Sequence, residues 1–214
     1  MPVTDTNEFT EDEKDILQEI MNIAFGSATA DLAEVIDIFV ELSVPDIKLI
    51  DTKDLPDFIK ETIHTYGDTS IIDQKFWGDF AGSSLLVFPT GGARELVDML
   101  IDNASYGSME KPMVSLERES LIEIGNILIG ACIGKISDLL DTFATYSPPR
   151  LINDVTNGYE SYVESYDPSS KAILMKTLFK FEQKDLTGLL LILTSQKSIG
   201  WLKKALLAFM EQYE

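Results

Sequence analysis

Two short runs in this chain carry the same polar side chains in the same spacing. Residues 19–26 read EIMNIAFG and residues 123–130 read EIGNILIG, so Glu, Ile, Asn, Ile and Gly recur at a constant offset of 104 positions. An acidic residue stands one helical turn before each Glu, Asp15 in the first copy and Glu119 in the second. At about 100° per residue, Asp15, Glu19, Asn22 and Gly26 point to roughly 0°, 40°, −20° and 20° on a helix, a strip about 60° wide. Glu119, Glu123, Asn126 and Gly130 fall on the same strip. Each strip sets a carboxylate one turn from a carboxamide that can both donate and accept, with a glycine one turn beyond that lets a partner come close. A glycine inside a helix costs about 1 kcal/mol relative to alanine, so its presence at both matched positions needs a reason. The bland alternative is that Glu and Asn solvate an outer face while Gly permits tight helix packing. Repetition weighs against it, because structural necessity retains isoleucines and glycine more readily than an outward asparagine.

The elements that must position these strips are repeated as well. Pro45 and Pro149 keep the offset of 104, and LLVFPT at 85–90 returns as LLILTS at 190–195 with one residue of drift. Apolar residues Ile16, Leu17, Ile20, Ile23, Ala24, Leu32, Val35, Ile36 and Phe39 recur near three and four apart, which predicts a long helix over about 10–41. Thr10 and Glu13 form a capping box at its start. SVPDIKLI then reads as extended, since Pro45 pushes Val44 out of helical geometry. A shorter helix is expected over 54–66, strands over 68–77 and 81–88, and a helix over 91–101. The second half offers a long helix over 115–140, extended SPPRLI, an unassigned segment 152–166, strands over 171–183 and 186–194, and a helix over 197–212. The expectation is one α+β domain spanning 1–214, built from two tandem repeats of about 10–104 and 115–214 related by a pseudo-two-fold. Its sheet has six strands, three per half, and is mostly antiparallel.

Composition narrows the chemistry. With 45% hydrophobic and 25% charged residues the chain is an ordinary globular one. Its 17 Lys and Arg against 36 Asp and Glu leave a net charge of −19, which disfavours nucleic acid or an anionic membrane as partner. Of that charge, −16 lies in residues 1–104 (6 basic, 22 acidic) and −3 in residues 105–214 (11 basic, 14 acidic). One cysteine, Cys132, and one histidine, His64, assemble neither a disulfide nor a His/Cys metal cluster, so no metal site is expected. The acidic N-terminus is unlike a signal peptide, and no membrane span is expected, so the setting is taken to be cytoplasmic. His64 is read as a surface histidine and Cys132, which replaces Ala28 at the repeat offset, as a packing residue. Phe39, Met99 and Phe209 are core candidates. There is no phosphate-cradling glycine loop and no nucleophile elbow. Asp15 with Glu19 makes a poor glycosidase pair, being one turn apart on a convex ridge.

The spacing Asp/Ser-x3-Glu-x2-Asn-x22-Pro resembles that of the CheC-like phosphatases, the group of CheC, CheX and related flagellar-switch proteins that act on the phosphorylated chemotaxis regulator CheY. Asp15, Glu19, Asn22 and Pro45 match it in the first copy. Glu123, Asn126 and Pro149 match it in the second, where Glu119 replaces the Asp or Ser. The resemblance implies that the two long helices carry active sites hydrolysing the aspartyl phosphate of a CheY-type response regulator. Asn22 and Asn126 then orient the attacking water, Glu19 and Glu123 pair with the partner's active-site lysine, and Asp15, Glu119, Gly26 and Gly130 contact the partner. No cofactor of its own is implied; magnesium belongs to the phosphorylated partner. A non-catalytic adaptor docking the receptor deamidase CheD, or sitting at the flagellar switch, is the alternative. A chain ending at Glu214 without a further domain favours a freestanding protein, and a pure scaffold leaves the outward asparagines unexplained. The second ridge is expected to be the better catalyst, because Met21 crowds Asn22 where Gly125 leaves Asn126 unobstructed, and because the first half is more acidic.

Overall fold

A computed structural model describes residues 9–36, 39–89, 91–92, 94–96, 113–152, 171–182 and 186–211. The chain opens with helix α1, Glu11–Ile36. Its start is the expected capping box: Thr10 Oγ1 accepts from the Glu13 amide at 3.1 Å, and Glu13 Oε2 accepts from the Thr10 amide at 2.8 Å. The helix stops short of residue 41, because Val40–Leu42 form strand β1. Strand β2, Asp46–Asp51, follows, then helix α2, Leu55–His64, with proline in its first turn, and the hairpin of β3, Thr69–Trp77, and β4, Gly82–Pro89. The second half gives α3, Met113–Leu139, then β5, Thr145–Tyr146, and β6, Arg150–Ile152. Strands β7, Lys171–Phe181, and β8, Leu186–Ser195, lead into α4, Gln196–Glu211. Of the helix expected over 91–101, residue 91 is a turn, residues 92 and 94–96 are helical and the others lie outside the described residues, as does 153–166.

All pairings are antiparallel, in the order β1 and β2, β7, β8, β4, β3, β5 and β6. Exchanging each first-half strand for its counterpart reverses this order onto itself. Each half gives its outermost strand to the other half's hairpin. Among the described residues the sheet counts eight strands rather than six, because both outermost strands are broken at a proline. Leu42 faces Phe179 and Asp46 faces Lys176, so residues 43–45 span the space of two partners. Tyr146 faces Phe76 and Arg150 faces Asp73, so 147–149 do the same on the opposite edge. Proline donates no ladder hydrogen bond and is tolerated at such a bulge on an edge.

The sheet is covered on both faces, which is why β4 and β8 read as nearly unbroken apolar runs. On one face α1, α3 and α4 pack against Ile72, Phe76, Leu86, Phe88, Ile173, Phe179 and Ile192. On the other, Leu55, Ile59 and Ile63 of α2 cover Ile71, Leu85, Leu174 and Leu191. These three α2 side chains are at most 1% exposed, each worth about 1.5–3 kcal/mol of burial. Ser115–Leu139 is long and apolar enough to pass for a membrane span by length and composition. Its apolarity serves the core instead, where Leu121, Ile124, Leu128, Ile129 and Ile133 are buried. One expected core residue is not core: Phe39, beyond the end of α1, is 46% exposed, and Ile23 of the helical pattern is 43% exposed. Phe209 packs against the core as expected. Met99 and the side chains of Leu32, Val35 and Ile36 lie outside what is described.

Candidate functional site

On α1, Leu17, Ile20, Met21, Ala24, Phe25 and Ala28 are buried, and on α3, Leu121, Ile124, Leu128, Ile129 and Cys132 are buried. The ridge residues lie on the opposite faces. Asp15, Glu19 and Gly26 are exposed and Asn22 half-buried; Glu119, Glu123 and Asn126 are exposed and Gly130 half-buried. A Cβ at Gly26 or Gly130 would meet nothing within 4 Å. Tight packing within the molecule is therefore no reason for either glycine.

The ridge of α3 is held from beneath. Gly125 is buried against β3, where a Cβ would come within 2.7 Å of Ile72 Cγ2, and its absence lets the helix sit low on the strand. Two residues along β3 on the same face, Gln74 Nε2 donates to Asn126 Oδ1 at 2.9 Å and to the Ser147 carbonyl at 3.0 Å. Ser147 belongs to the proline bulge, pinned to Lys75 through its amide at 2.9 Å and its Oγ at 3.0 Å. Pro149 thus shapes the loop that anchors the residue holding Asn126.

The other edge repeats the bulge but not the anchor. The Ser43 amide donates to the Leu178 carbonyl at 2.9 Å and Ser43 Oγ accepts from the Leu178 amide at 2.9 Å. Opposite it stands Thr177, whose hydroxyl donates to the Ser43 carbonyl at 2.6 Å. Here α1 is tied to its bulge by Gln18, whose Nε2 donates to the Pro45 carbonyl at 2.7 Å. Met21 is fully buried, so it does not crowd Asn22, and the steric argument for a weaker first ridge fails. It fails because positions 21 and 125 face the core, about 100° from their asparagines.

Sequence reasoning misses Gln18, Ser43, Gln74, Ser147 and Thr177. Ser43 and Ser147 keep the offset of 104, a signal that could have found them. Gln74 and Thr177 differ in type and give no such signal. His64 is exposed at the end of α2, and Cys132 is buried, which pushes its thiol up from the ordinary value. Burial, with Asp138 and Cys132 adding, also pushes up the phenol of Tyr146, whose hydroxyl lies 3.5 Å from the Gly130 carbonyl. Among the described residues no three His, Cys, Asp or Glu side chains group as metal ligands.

The sequence profile of the CheC-like family matches residues 13–49, which hold Asp15, Glu19, Asn22 and Pro45. The chain is 25% identical to the CheY-P phosphatase CheC of Bacillus subtilis (strain 168), over 80% of this chain and 81% of that one. It is 24% identical to the flagellar motor switch phosphatase FliY of the same organism, over 72% of this chain but 39% of FliY. In fold it resembles the crystal structure of Thermotoga maritima FliY, with a TM-score of 0.67 at 17% identity, over 94% of this chain and 98% of that one. The matched motif in α1, relatives at 24–25% identity along most of this chain and the fold shared with FliY mark the chain as similar to the CheC-like family.

Proposed function

We propose that this protein hydrolyses the aspartyl phosphate of a CheY-type response regulator in the cytoplasm. The observation that carries the reading is Asn126: a carboxamide on an exposed helical face, one turn after Glu123, with its orientation set by a buried glutamine. The relative named CheY-P phosphatase CheC supplies the reaction class. Such an acyl phosphate is bound in the regulator beside that protein's own divalent cation and lysine, which meet the charge on phosphorus. The missing element is a water in line with the bond to be broken. Asn126 and Asn22 enter the partner's site and orient this water by donating and accepting. As the water oxygen bonds to phosphorus, the bond from phosphorus to the aspartate oxygen breaks, leaving an aspartate carboxylate and inorganic phosphate. The water's proton leaves with the phosphate or to solvent. Glu123 and Glu19 pair with the regulator's lysine and fix the approach. Asp15 and Glu119 dock one turn earlier, and Gly26 and Gly130 keep the far end of each ridge low.

The likeness to FliY favours one second reading, in which the ridges bind the regulator at a flagellar switch without turning it over. Decay of a phosphorylated CheY-type regulator in magnesium, with and without this protein, separates the two. Acceleration is expected. Binding without acceleration would reject the enzymatic reading and leave the switch.

A further inference from the structure

We infer that Gln74 is the positioning residue that makes the second ridge competent, and that its replacement by Thr177 at the matching place makes the first ridge the weaker one. The inference rests on the reading of Asn126 given above. The Ser147 carbonyl only accepts, so the Gln74 atom beside it is Nε2, and the second proton of that nitrogen goes to Asn126. Asn126 must therefore present Oδ1 to Gln74. Its Nδ2 and the remaining Oδ1 lone pair are left for the outside. Gln74 is 2% exposed and cannot itself reach a partner. Its own Oε1 is buried with no partner among the described residues, a cost that an apolar or smaller residue would not carry. Thr177 is that smaller residue. It faces the equivalent bulge, satisfies itself on Ser43, and leaves Asn22 with no protein hydrogen bond to its side chain among the described residues. Asn22 is free to exchange its oxygen and nitrogen by rotation about its last torsion. Asn126 is not. A water aligned by a fixed amide spends more of its time in line with phosphorus, so the difference enters turnover rather than affinity.

The test uses full-length protein in the Asn22→Ala background, where the second ridge alone reports. Gln74→Thr is the first variant, since a threonine is already accommodated opposite the other bulge and keeps a bond to the Ser147 carbonyl while releasing Asn126. Gln74→Leu is the second, removing both bonds. Both should lower kcat for the phosphorylated regulator by about ten- to a hundredfold, the range that misplacement of a reacting group produces. KM and the thermal midpoint of Gln74→Thr should stay as they were. An unchanged kcat, or a loss that tracks a raised KM or a lowered midpoint, overturns the inference. Adding Asn126→Ala to the same background tells the two proposals apart. If that change is silent the catalytic reading itself fails; if it abolishes turnover while Gln74→Thr does nothing, only the positioning role fails.

Discussion

Asn126 and Asn22 share the Glu, Ile and Gly of their ridges along the chain and have different neighbours in space. Repetition makes the eight ridge residues legible in the sequence, because only a matched pair of outward polar side chains stands out from an ordinary wet helix face. The support is not legible there, since Gln74 lies 52 positions from Asn126 and nothing local marks it. The glycines allow a test at this scale. With no atom within 4 Å of a Cβ at Gly26 or Gly130, alanine should raise stability by up to about 1 kcal/mol at each. If the glycines serve close approach, the same changes raise KM for the regulator. Thermal unfolding beside kinetics checks both, and stabilised variants with unchanged KM would make the glycines incidental. Cys132 gives a second test. Its thiol is fully buried and its pKa is raised, so the folded chain keeps it protonated while the unfolded chain ionises it near the ordinary value of 9.0. Its contribution to stability is present below that value and falls away as pH rises above it. Denaturant titrations from neutral to alkaline pH should show that loss for the natural chain and a smaller one for Cys132→Ala.

At the scale of elements, periodicity locates both long helices, both hairpins and the extended pieces, because each carries a core-facing pattern long enough to register. Its errors have physical sources. VEL continues the apolar spacing of the first helix and so extends it to residue 41, whereas Val40–Leu42 find hydrogen-bond partners on β7. Three strands per half become four because Pro45 and Pro149 break each outer strand at a bulge. Met21 and Gly125, expected beside the partner, are neighbours of the core. Gly125 is therefore a packing position, and Gly125→Ala should cost about 1–3 kcal/mol by driving a methyl into Ile72. It should also lift α3 from β3 and lengthen the Gln74 to Asn126 contact, lowering kcat beyond what the stability loss explains. Trimming Ile72 to valine in the same chain should recover both. Recovery of stability without recovery of kcat would show that the height of α3 does not set the asparagine.

Across the whole molecule, each half completes the other's sheet, and we propose that the chain is one domain of two repeats rather than two independent ones. Composition implies a globular chain with a strong negative charge, yet charge alone does not say which half works harder. On the proposed reading the support beneath each asparagine would carry that distinction, and the first half's net −16 would add long-range repulsion toward an acidic phosphorylated partner. The most direct measurement is the decay rate of a phosphorylated CheY-type regulator with the natural protein, Asn22→Ala, Asn126→Ala and the double variant, each shown to be folded. Loss of a water-orienting group should resemble loss of other transition-state donors, about a hundred- to a thousandfold. The double variant should fall by that much, Asn126→Ala should remove most of the activity, and Asn22→Ala a minor part. Unchanged acceleration by the folded double variant would contradict the account.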